Sequence, residues 1–109
     1  MLEVILGSSS SERVLMFIFA REEGYAREIA RFFETDLTPI QKQLEKLESA
    51  GVLVSRVAGR TRLFSFSPRY PMIAELRALL EKTLQFYPDD LRTQLLMNRR
   101  RPRRTGKPL

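Results

Sequence analysis

A mainly α-helical chain bearing one small β-hairpin, the α+β class, is what this sequence specifies. Apolar residues recur at helical spacing in five separate segments. Proline and glycine fall at the edges of those segments. A run near the middle is rich in β-formers instead, on both sides of Ala58-Gly59-Arg60.

Residues 8–11 offer several serine N-caps, and Glu12 follows them, as helix starts favour. From Val14 the run VLMFIFA is almost wholly apolar. A first helix over about 11–22 is therefore expected to be buried on most sides, with Gly24 as its stop. A second helix covers about 26–33. Ile29, Ala30 and Phe33 form its inner face, and Arg27, Glu28 and Arg31 turn outward. Glu34-Thr35-Asp36-Leu37 is the polar break that follows, with Leu37 as an apolar plug. The third helix covers about 38–50. Thr38 is its expected cap, and Pro39 its first residue, where a missing N–H costs nothing. Ile40, Leu44 and Leu47 recur at i, i+4 and i+7, and Gly51 ends the helix. Gln41, Lys42, Gln43, Glu45 and Lys46 are left on the exposed side.

A hairpin is expected over 52–67, opened by Val52-Leu53-Val54. Gly59 supplies positive φ at its turn, and Phe64 and Phe66 share one face. Pro68 and Pro71 bracket a kinked link. A helix over about 72–87 carries Ile73, Leu76, Leu79, Leu80 and Leu84. Pro88 breaks it, and Asp89 or Asp90 caps a last helix over about 89–98 with Leu91, Leu95 and Leu96 on one side. Residues 1–98 thus form one domain. Residues 99–109 hold nothing that builds a core and are expected to be a disordered basic tail. Helix, turn, helix and hairpin, in that order, describe a winged helix-turn-helix.

Composition narrows the chemistry. The 109 residues are 43% apolar, which suits a globular chain. There is no cysteine and no histidine, which removes disulfides, thiolate and imidazole catalysts and the usual zinc ligands. The five glycines are scattered and form no phosphate-cradling loop. No carboxylate is visibly matched to a nucleophile, so no catalytic residue, cofactor or metal site is expected. No apolar run approaches the roughly 18–20 residues needed to span a bilayer, and MLEVILG lacks the basic start of a signal peptide. A cytoplasmic protein without membrane contact is the expectation.

The net charge of +6 resides in the tail, where Arg99, Arg100, Arg101, Arg103, Arg104 and Lys107 stand without an acid. The remaining 13 basic and 13 acidic residues are unevenly spread. Between Lys42 and Arg69 six basic residues face only Glu45 and Glu48. The third helix and the hairpin are the part of the body that would attract phosphate.

A helix that enters the major groove carries polar and basic side chains near its N-terminus. Thr38, Gln41, Lys42 and Lys46 have that character. Gln pairs bidentately with adenine and Lys reaches the guanine acceptors. A merely solvated helix side has the same composition, and the neighbouring hairpin with Arg56, Arg60 and Arg62 is what favours double-stranded DNA as the partner. Arg60, at the tip, is expected on the backbone or in the minor groove. Tyr25 and Arg27 are weaker candidates for phosphate contact. The leucine-rich helix over 72–87 has more apolar surface than its own domain uses, which suggests a homodimer seam.

The segments ILGSSSSERVLMFIF, YAREIARFF, TPIQKQLEKLESAGVL and GRTRLFSFSPRYPMIAELRALLEKT, together about three quarters of the chain, resemble the ArsR-like winged-helix regulators of bacteria and archaea. They look most like the branch associated with minimal nucleotidyltransferases. The resemblance implies a dimeric DNA-binding regulator, usually a repressor, with Thr38, Pro39, Gln41 and Lys42 on the reading helix and Arg60 and Arg62 on the wing. It also implies a separate nucleotidyltransferase as a partner, and a docking or antitoxin-like role as the alternative function. The chain departs from the family's metal sensors in having no cysteine or histidine.

Overall fold

The computed structural model describes residues 1–97. The expected tail over 99–109 and the end of the last helix at Asn98 lie outside the described residues. Six helices and one antiparallel hairpin follow one another: α1 (Glu3–Leu6), α2 (Ser9–Arg21), α3 (Ala26–Phe33), α4 (Leu37–Ser49), β1 (Leu53–Ala58), β2 (Thr61–Phe66), α5 (Ile73–Leu84) and α6 (Asp89–Met97). The α+β expectation therefore holds. The short α1 was not expected; Gly7, at φ +94°, stops it after four residues.

The apolar helix α2 is the axis of the fold. Val14, Leu15, Met16, Phe17, Ile18 and Ala20 are all buried, and α2 packs against α4, α5 and α6. It begins two residues before the expected boundary because Ser8 caps it, its Oγ accepting from the Ser11 N–H at 3.1 Å. Its end is closed by Glu22 in the left-handed region at φ +75°. Gly24, expected as the stop, has another task. Its backbone pairs with Phe64, N–H to carbonyl at 3.0 Å and 2.8 Å, so β2 lies between β1 and Gly24.

Helices α3 and α4 form the helix-turn-helix. The first residue of α4 is Leu37, and Asp36 occupies the cap position in extended conformation. Thr38 is thus not the cap, and Pro39 is the third helical residue. Proline is tolerated there because the first four N–H groups of a helix have no intrahelical acceptor. Ile40 and Leu44 are buried, and Leu47 packs at the edge of the core. Gly51, at φ +83°, closes the helix end.

In the hairpin, Leu53 pairs with Phe66 and Ala58 with Thr61, leaving the two-residue turn Gly59-Arg60. Gly59 takes φ +65° and Arg60 does not take positive φ, the type II′ pattern. Phe64 and Phe66 enter the core as expected. Helix α5 is shorter than the expected 72–87 because Met72 only caps it and Gln85 ends it. Asp89 and Asp90 do not cap α6. Pro88 does so through its carbonyl, which accepts the Arg92 N–H at 2.9 Å, and both aspartates lie in the first turn.

Two buried charges tie the termini of the described fold to α2. The Glu12 carboxylate accepts from the Leu2 N–H at 2.6 Å, from the Met1 ammonium at 3.0 Å and from the Tyr87 hydroxyl. The Arg21 guanidinium lies 4.7 Å from the Phe17 ring and 4.9 Å from the Phe32 ring. It donates to the Leu95 and Gln94 carbonyls at 3.2 Å and 3.0 Å. These carbonyls belong to the last turn of α6, where a cation offsets the helix dipole.

Candidate nucleic-acid interface

A cleft runs between the start of α3, the outer side of α4 and the hairpin. Leu44 and Phe64 are its apolar floor. Tyr25 and Arg27 come from α3 and the residue before it, Gln41 and Glu45 from α4, and Arg60 and Arg62 from the hairpin. Three guanidinium groups from two elements therefore face one concavity whose other wall is a helix with polar side chains.

Each wall is fixed by contacts behind it. Ile40 and Leu44 anchor α4 in the core. The Ser11 hydroxyl of α2 donates to Gln43 Oε1 at 2.6 Å, which sets the rotation of α4 about its axis. Gln43 is accordingly a positioning residue, not part of the free outer side on which the sequence places it. At the far end of α4, Ser55 Oγ donates to Glu48 Oε2 at 2.5 Å, and Arg62 Nη1 donates to Ser55 Oγ at 2.9 Å. The hydroxyl accepts from one charged group and gives to the other. It links helix, strand and wing arginine in one line, and nothing in the spacing of these residues along the chain signals it.

The sequence-derived candidates fall into three places. Gln41, Arg60 and Arg62 line the cleft. Thr38, Lys42 and Lys46 are exposed and follow one another at i, i+4 and i+8. That stripe lies about 100° around α4 from the one that carries Gln41 and Glu45. Pro39 is exposed beside Thr38 in the first turn. Arg56 is separate. It pairs with Leu63 in the ladder, whereas Arg62 pairs with Val57, and these are alternate faces of the hairpin. Its guanidinium is ion-paired to Glu23 at 3.1 Å, with most of the arginine exposed. Arg27, weakly favoured from sequence, is exposed on the cleft wall.

The geometry has counterparts among solved structures. A double mutant of ZitR from Lactococcus lactis in apo form superposes with a TM-score of 0.56 at 24% identity, over 82% of this chain and 79% of that one. The fold is a winged helix. A cysteine-to-serine mutant of the same protein gives 0.55 at 24% identity, over 76% of this chain and 64% of that one. A structure described as a zinc-responsive MarR family member, again Lactococcus lactis ZitR, gives 0.51 at 21% identity, over 81% and 68%. The chain thus spans 64% to 79% of the length of these structures. No protein-family model and no curated protein matches the chain. Among the described residues, no helix is long and apolar enough to cross a membrane, and no three carboxylates gather as a metal-holding group.

Proposed function

We propose that this winged helix is a non-catalytic, double-stranded-DNA-binding transcription regulator, with α4 in the major groove and the hairpin along the adjacent backbone. The observation that carries the reading is the convergence of Gln41 from α4 with Arg27, Arg60 and Arg62 on one cleft. A polyanion seated there meets a cation from each side and a polar helix between them. Lys42, Lys46 and Thr38, on the adjoining stripe of α4, extend the same surface outward. Arg60 and Arg62 supply affinity by neutralising phosphate, and Gln41 and Lys42 read base edges. Arg56, on the other hairpin face, contributes through long-range charge alone.

The same proposal includes repression, a cytoplasmic location and a homodimer. Val4, Ile5, Leu79, Phe86, Leu96 and Met97 are exposed on α1, α5 and α6 and the segment after α5, which supports a seam built from those elements. The ArsR-like assignment, with a separate nucleotidyltransferase as a possible second partner, rests on the sequence segments quoted above. Zinc response, named for the ZitR structure, is not carried over, because this chain has no cysteine or histidine.

Selection from random duplexes by the purified full chain tests the proposal. Enrichment of one motif, arranged as a two-fold repeat with half-sites about one helical turn apart, is the expected result. Recovery of unenriched duplex, or of none, contradicts it.

A further inference from the structure

Glu45 is the one carboxylate on a cleft otherwise lined by cations and neutral groups. It is exposed, and among the described residues it makes no hydrogen bond or ion pair. Arg62, the cation best placed to neutralise an acid on α4, is held by Ser55 instead, and Ser55 gives its own proton to Glu48. Glu48 has a partner inside the fold; Glu45 has none.

An unpaired negative charge weakens every contact between such a cleft and a phosphate backbone. A site selected only for affinity would carry a neutral or basic residue there. A carboxylate in this position repels duplex in general and is offset only where a base edge offers it a proton. Among major-groove edges the cytosine amino group does so, and a carboxylate accepts from it. Gln41 stands one helical turn before Glu45 on the same stripe. Four residues advance a helix by about 6 Å, close to two base steps at about 3.4 Å each.

We infer that Glu45 is a specificity-determining residue that accepts a hydrogen bond from a cytosine in the major groove, about two base steps from the base read by Gln41. The inference rests on the DNA-binding reading proposed above. Glu45 makes duplexes lacking that cytosine poorer ligands, because they leave its charge against the DNA without a donor.

The test is duplex selection with the full-length wild type, Glu45→Gln and Glu45→Ala, followed by measured affinities for the winning duplex and for a single-base variant at each position. In wild type one position requires cytosine, with at least about a fivefold loss on replacement, the low end of what one good base contact contributes. Glu45→Ala removes the preference at that position alone and raises affinity for random duplex. Glu45→Gln moves the preference there toward adenine. If wild type selects a motif and both variants select the same one with every base preference intact, Glu45 is only a repulsive surface charge and the inference fails. If wild type selects no motif, the DNA-reading proposal fails and this inference with it. Glu45 is exposed, so neither variant is expected to change the helical circular dichroism, which is measured alongside.

Discussion

Gly24 is the residue whose replacement the packing tolerates least. A Cβ there would lie 2.8 Å from two ring atoms of Phe17, and that ring is itself fully enclosed in the core. Gly24→Ala should therefore destabilise the fold by about 1–3 kcal/mol, the usual cost of overpacking, read as a lower urea midpoint with an unchanged slope. The sequence marks Gly24 as a helix stop, which is the commonest use of glycine after an apolar helix. Its actual role depends on Phe17 and Phe64 meeting it in space, and no local pattern reveals that. Tyr87 offers a second test. Burial, then the hydrogen bond to Glu12, raises the phenol above its ordinary value. A raised folded-state pKa gives stability that is complete below about pH 10 and is lost as pH climbs toward the folded value. Tyr87→Phe should lose about 1–3 kcal/mol at neutral pH by removing a donor from a buried carboxylate. The gap between wild type and variant should narrow above about pH 10, as followed by denaturation across pH 7 to 11.

At the scale of elements, α3 was legible to the residue, and the other longer elements to within two or three residues. Strong apolar periodicity, Gly51, Gly59 and Pro88 made them so. The boundaries that moved did so for local reasons. Ser8 captured the start of α2, Asp36 displaced Thr38 from the cap of α4, and Pro88 took the cap of α6 from the aspartates. The short α1 was missed because four residues are too few for a period. The wing arginines were legible as a group but not in their directions. Arg56 and Arg62 differ in sequence position by an even number across a two-residue turn, so the register sends them to opposite faces. The line from Glu48 through Ser55 to Arg62 is also a property of pairing between elements. Ser55→Ala breaks it and should change stability by no more than about 1 kcal/mol, the value of one hydrogen bond. Affinity for duplex should nevertheless fall severalfold, because Arg62 loses its fixed direction while keeping its charge. Calorimetric unfolding together with anisotropy titration separates the two effects.

For the whole molecule, the uneven charge was readable from composition, and the structure places its positive part on both walls of one cleft. Oligomeric state is a prediction at this scale. The exposed Leu79 and Phe86, 38% and 62% accessible in the single chain, belong to the proposed seam. Light scattering should give a dimer mass for wild type at micromolar concentration, and a monomer mass for Leu79→Glu combined with Phe86→Ser. A wild-type monomer would remove the seam from the proposal. The central claim is that α4 and the hairpin face one duplex together. Its most direct measurement is the salt dependence of duplex affinity for wild type and for the Lys42→Ala, Arg60→Ala double variant. Both residues are exposed, so the variant should unfold at the wild-type temperature. Its affinity should fall more than about tenfold, and the slope of log affinity against log salt should flatten by about two, one for each lost phosphate contact. A folded double variant with wild-type affinity and slope would contradict the claim.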